Sequence, residues 1–161
     1  MIICNATPLI AFARIQRLDI LQQTVGELVI PEGVAKEIQG YRGGHYAEII
    51  LDDEPWITVQ TLQAPAQVQL LLPALDQGEA EVITLALEQN ADLVLIDELT
   101  GRKVAQSLQL QVIGTVGILI RAKQMGLIPM VKPILEKMIQ RGIRYSQRFV
   151  CSILHEIGEE F

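Results

Sequence analysis

Residues 75–98 read LDQGEAEVITLALEQNADLVLIDE, and the fold turns on how this stretch is parsed. Asp76 and Glu79 stand at capping-box spacing, which predicts a helix starting there and running to about Gln89. Asn90-Ala91 then turns the chain into the strand expected over 92–96, apolar from Leu93 on and short enough to be buried, and Asp97 closes it. Helix, turn, buried strand and terminal acid together make half of a parallel α/β unit. Similar patterns lie on either side. Upstream, residues 2–5 are β-prone, with Thr7 as a hydroxyl N-cap and Pro8 as the first position of an apolar helix over 9–18. Residues 28–30 predict a second strand, followed by a short helix to about Gln39 and a loop over 40–44. A helical turn is expected over 45–51, a break over 52–55, a strand over 56–59 and a helix after Pro65 reaching about Leu72. Downstream, the pattern predicts a helix over 100–108, a strand over 111–113 and a helix over 115–124 stopped by Gly126. Ile134, Leu135, Met138 and Ile139 form the stripe of a further helix that Gly142 ends. Short strands separated by helices, with no hairpin turns, predict a central, mainly parallel sheet covered on both faces. The fold class is therefore α/β, in one domain over residues 1–161.

Composition excludes several classes. Half of the 161 residues are apolar and 20% are charged, a balance that supports a packed core. Cys4 and Cys151 form no C-x-x-C pair, and His45 and His155 lack metal-ligand spacing, which argues against structural zinc. The longest apolar stretch, 112–120, is too short for a bilayer, and no basic region precedes a hydrophobic one at the start, so a cytoplasmic protein with no membrane contact is expected. The net charge of -6 opposes unassisted nucleic-acid binding, but it is unevenly spread. Residues 1–100 carry 4 basic and 15 acidic side chains, whereas residues 101–148 carry 9 and 1. The basic segment suits a phosphate track and the acidic one a cation, although solvated helix faces would explain the same charges.

Ligands of open parallel sheets bind beyond the carboxyl ends of the strands. Asn5 and Asp97 follow two predicted strands directly and fall at that edge. No phosphate-cradling glycine motif and no nucleophile elbow is present. What remains is a set of carboxylates: Glu37, Glu79, Asp97 and its neighbour Glu98. Such oxygens suit Mg²⁺ or Mn²⁺, which need one or two carboxylates with several waters and can activate water or polarise a phosphoryl oxygen. Each also has a plainer explanation. Glu79 completes a capping box, Glu37 suits an exposed helix face, and Asn5 can form an Asx turn before Pro8.

The motifs as a set resemble those of PIN-domain proteins, in the branch of small VapC-like toxins with a [DN]-[AT]-[ST]-P-L-I first-strand signature. Here it reads Asn5-Ala6-Thr7-Pro8-Leu9-Ile10. The likeness continues through Ile30-Pro31-Glu32-Gly33-Val34-Ala35-Lys36-Glu37, residues 75–83 with Leu85-Ala86, residues 91–98 and residues 112–119, covering nearly the whole chain. It implies a three-layer α/β/α sandwich and a metal-dependent endoribonuclease acting on RNA and held in check by a cognate antitoxin; the mean hydropathy of +0.31 suits apolar surface kept for a homodimer or an antitoxin segment, although a large core explains it as well. The family's acidic constellation falls on Asn5, Glu37, Glu79 and Asp97 as catalytic residues and ligands of Mg²⁺ or Mn²⁺. Glu81 and Glu98 are placed to supplement them, and Thr7, Arg102 and Lys103 to bind substrate. Asn5 departs from the usual aspartate. An amide oxygen still ligates a cation but brings no charge, which keeps open a second reading: a catalytically weak or inactive module that binds protein or RNA.

Overall fold

The computed structural model describes residues 1–40 and 48–160. Five strands, β1 (Ile2–Cys4), β2 (Leu28–Pro31), β3 (Ile57–Gln60), β4 (Leu93–Leu95) and β5 (Val112–Ile113), form one sheet in the order β3-β2-β1-β4-β5. Every pairing is parallel. The helices are α1 (Ala6–Arg14), α2 (Leu18–Val25), α3 (Glu32–Gly40), α4 (Val68–Leu71), α5 (Gln77–Gln89), α6 (Leu99–Ser107), α7 (Thr115–Gln124), α8 (Lys132–Gln140) and α9 (Gln147–Glu156). They flank the sheet as the three-layer α/β/α arrangement requires.

The three central strands, β1, β2 and β4, carry the buried part of the sheet. Ile3, Cys4, Leu28, Ile30, Val94, Leu95 and Ile96 are wholly enclosed. Each such Ile or Leu contributes about 1.5–3 kcal/mol from its burial. Helix α5 is buried at every position from Gly78 to Ala86 and touches β1, β2 and β4, so it lies over the centre of the sheet. Its first turn carries the predicted capping box, with the Glu79 N–H donating to Asp76 Oδ1 at 2.8 Å and the Asp76 N–H to Glu79 Oε1 at 3.4 Å. Asn90 ends it in the left-handed conformation at φ 49°.

Several expectations change. The first helix starts at Ala6, with Asn5 and not Thr7 in the N-cap position. Pro8 fits inside this first turn because the N–H it lacks has no intrahelical acceptor there. The apolar stretch expected as one helix over 9–18 divides into α1 and α2, since Gln16 takes a left-handed φ of 56°. The helix after Pro65 is a 3₁₀ turn followed by the single turn of α4. Residues 41–44 of the expected loop and 45–47 of the expected helical turn lie outside the described residues, while Leu51–Asp53 form a 3₁₀ turn. Helix α9 has no counterpart in the sequence reading; Ser146 caps it, its Oγ accepting from the Phe149 N–H at 3.1 Å.

Beyond α9 the chain is tied back by Glu159, 2% exposed. Its carboxylate accepts from Lys123 Nζ at 2.7 Å, the Val131 N–H at 2.9 Å and the Lys132 N–H at 2.8 Å.

Candidate metal centre

Strand β1 leads outward to β2 and β3 on one side, and β4 leads to β5 on the other, so the switch point falls between β1 and β4. Their register pairs Cys4 with Leu95, and the Asn5 N–H donates to the Leu95 carbonyl at 3.0 Å. Asn5 and Asp97 therefore leave neighbouring strands at the same edge, where open α/β sheets bind ligands.

The first turn of α5 arrives at this edge and gathers other oxygens. A Cβ built on Gly78 would lie 3.1 Å from Glu37 Oε2, 3.2 Å from Asn5 Oδ1 and 3.6 Å from Asp76 Oδ1. A side chain at this position would crowd the amide and carboxylate oxygens, which glycine lets approach. Asn5 Oδ1 is buried without a hydrogen-bond partner, and so is Glu79 Oε2. The capping box engages Glu79 Oε1, which leaves the second oxygen directed at the side of Gly101, where a Cβ would collide with it.

An acceptor enclosed without a donor costs about 1–3 kcal/mol, and here it sits among other anions. Burial, then the Asp76 charge and side chain, then Glu98, push the Glu79 carboxyl up to about 7. Burial followed by Asp76 also raises Glu37. Both shifts show that an added positive charge would be welcome.

Asp97 occupies the neighbouring position under different restraints. Its Oδ1 accepts from the Thr115 N–H at 2.7 Å and its Oδ2 from the Thr115 hydroxyl at 2.6 Å, fixing the carboxylate against the start of α7. A Cβ on Gly114 would lie 2.8 Å from Asp97 Oδ1 and 2.7 Å from Arg102 Nη1, which places that guanidinium nearby. Burial and then the Asp97 charge raise the Cys4 thiol at the end of β1. Burial, followed by Asp97, likewise raises the Tyr145 phenol. Thr7, Glu98, Arg102 and Lys103 line the same cavity as Asp97.

The structure thus brings Asn5 and Glu37 to one point and sets Glu79 and Asp97 at the same sheet edge. Among the described residues, no three Asp, Glu, His or Cys side chains form a ready-made metal cluster. Glu81 is otherwise engaged, accepting from the Gly33 N–H at 3.1 Å and from Gln77 Nε2 at 2.8 Å. Asp76, read from sequence only as a cap, adds its carboxylate to the group; the D-x-x-E spacing that signals the box also puts two acids on one helical turn. Thr115 and Tyr145 carry no comparable sequence signal.

An open parallel sheet with buried, unpartnered oxygens and acids at its switch point defines a class of α/β domain built around an acidic centre. Comparison with known families makes this specific. A family model described as a PIN domain matches residues 1–159, and the chain belongs to the PIN-domain family. No curated protein matches the chain. PIN domains are generally nucleases that hydrolyse phosphodiester bonds in RNA or DNA, and they generally use divalent metal ions. The residues present fit such an ion: the donors are hard oxygens, two of them lack a partner, and burial, with the Asp76 charge second, disfavours the ionised forms of Glu37 and Glu79. Mg²⁺ needs only one or two carboxylates beside its waters, so a compact three-acid cluster is not required.

Proposed function

We propose that this protein is a Mg²⁺- or Mn²⁺-dependent endoribonuclease, cytoplasmic and formed by a single domain over residues 1–161, and that it acts as the toxin of a toxin-antitoxin pair. The observation that carries this reading is the pair of buried, unpartnered oxygens, Asn5 Oδ1 and Glu79 Oε2, at the switch point of the sheet. Asn5, Glu37, Glu79 and Asp97 would hold the ion; when bound, it supplies a water-derived nucleophile at neutral pH and offsets charge on the phosphoryl oxygens. Thr115 holds the Asp97 carboxylate in one orientation, so that ligand requires little rearrangement. Thr7, which lines the same cavity, would donate its hydroxyl to a phosphate oxygen. Arg102 and Lys103 neutralise phosphates flanking the one being cut. The toxin assignment, with its antitoxin partner, rests on the resemblance of the first-strand signature, and the homodimer on the mean hydropathy of +0.31. Among the described residues, no helix is long and apolar enough to cross a membrane.

Asn5 favours a second reading, that of a weak or inactive module which binds RNA or protein, because it replaces a charged ligand by a neutral one. Thermal melting separates these from a protein without a cation site. Mn²⁺ at about 100 times its Kd stabilises by about 2.7 kcal/mol, so the Tm is expected to rise by about 5–10 °C for a chain of this size. Mn²⁺-dependent cleavage of single-stranded RNA, lost in Asp97→Ala, is the expected activity. An unchanged melt, or cleavage that survives Asp97→Ala at the original rate, would overturn the nuclease reading.

A further inference from the structure

Two cavities flank the acidic centre, and they differ in chemistry. One, of about 1020 Å³, is lined by Glu32, Glu37, Asp76 and Glu81 against the single base Lys36. The other, of about 1050 Å³, begins at Asp97 and ends between α7 and the start of α9. Its lining includes Arg102, Lys103 and Arg144, none of which pairs with a carboxylate among the described residues. Tyr145 and Phe149 also line it, with ring centroids 5.9 Å apart and planes inclined by 28°, a stacked arrangement. The Tyr145 hydroxyl is enclosed and its ring backs that of Phe149, while Phe149 is 41% exposed at the cavity wall. The capping bond from the Phe149 N–H to Ser146 Oγ fixes the backbone that presents the ring. A polyanion is repelled from the first cavity and attracted to the second.

We propose that the cavity running from Asp97 to Phe149 is a nucleobase subsite for single-stranded RNA: Phe149, backed by Tyr145, is the platform on which a base near the scissile phosphate stacks, while Arg102, Lys103 and Arg144 hold the strand's phosphates. Aromatic platforms beside basic side chains are how proteins grip unpaired strands, because every base has a stacking face and every linkage a charge. From the nuclease reading the proposal takes only that RNA is the ligand. Phe149 and Tyr145 are assigned to base recognition and not to catalysis: Phe149 offers the exposed ring and Tyr145 backs it.

The test is fluorescence anisotropy with a short labelled single-stranded RNA in the absence of divalent cations, so that nothing is cut. Phe149→Ala is expected to weaken binding about tenfold, and Phe149→Trp to retain the original affinity. Inorganic polyphosphate, which has charges and no bases, should bind the protein and Phe149→Ala alike, whereas Arg102→Ala should weaken both ligands. Phe149→Ala binding RNA as tightly as the unaltered protein would overturn the subsite, as would failure of the unaltered protein to bind RNA. A Phe149→Ala variant that changes only from dimer to monomer, with RNA affinity intact, would also overturn it by assigning the cavity to a second copy. Because cleavage is not the readout, an RNA-binding protein that cuts nothing would sink the nuclease reading and leave the subsite standing.

Discussion

Asn5 is the side chain on which the chemistry is most finely balanced. Its backbone continues the β1–β4 ladder, its φ and ψ of -77° and 168° start α1, and its side-chain oxygen makes no capping bond. A buried Asn at an N-cap position ordinarily satisfies a helical N–H; this one leaves its oxygen unpartnered, beside Glu37. Asn5→Asp adds a charge beside Glu37, whose pKa burial and the Asp76 charge already raise. The variant should therefore be less stable than the original protein without divalent cations and bind Mn²⁺ about tenfold more tightly, the factor that 1.4 kcal/mol represents. Calorimetric titration measures the affinity directly. A large gain in RNA cleavage would accompany it if the amide is what limits the enzyme. Continued inactivity with intact RNA binding would favour the binding module.

Helix α6 shows how one element keeps the centre open. Gly101 lies in its first turn, fully covered, and a methyl group there would strike Glu79 Oε2 and come within 3.0 Å of Ile96 Cγ2. Gly101→Ala should raise intrinsic helix propensity yet displace the Glu79 carboxylate, lowering the Mn²⁺-induced rise in Tm by at least half while circular dichroism stays native-like. An undiminished rise would show that Glu79 does not meet the ion. Elements of this kind were largely readable from sequence. The capping box at Asp76, the left-handed turn at Asn90 and the glycine after α7 are local signals, and α5 and α7 begin and end close to where those signals place them. The division of α1 from α2 was not, because Gln16 adopts positive φ without the glycine that would announce it. Helix α9 escaped because its apolar face is meaningful only once the surface it covers exists. The site follows the same rule: Asn5 and Asp97 are visible as strand-terminal polar residues, but Thr115 becomes relevant only when β4 and β5 are neighbours.

The assembled protein has an acidic centre, a basic flank and a C-terminal tie. Glu159 is that tie. Burial alone would raise its pKa, but the Lys123 ammonium and the Val131 and Lys132 N–H donors outweigh it and hold the carboxyl below its ordinary value. A folded pKa below the unfolded one means that the stabilisation is present in full above the unfolded value of 4.5 and is lost as pH falls through the folded value. Glu159→Gln should cost about 2 kcal/mol at neutral pH and narrow its deficit relative to the original protein in urea melts taken progressively below pH 4.5. A deficit independent of pH would mean that the carboxylate charge is not what closes the tail.

The pairing of β1 with β4 has a temporal side as well. Ile3 meets Val94 across about ninety intervening residues, and domains emerge from the ribosome amino end first. A nascent chain interrupted before β4 holds Asn5 and Glu37 but has neither Asp97 nor the strand that aligns it. A chain cut short before β4 is therefore expected to lack a complete centre.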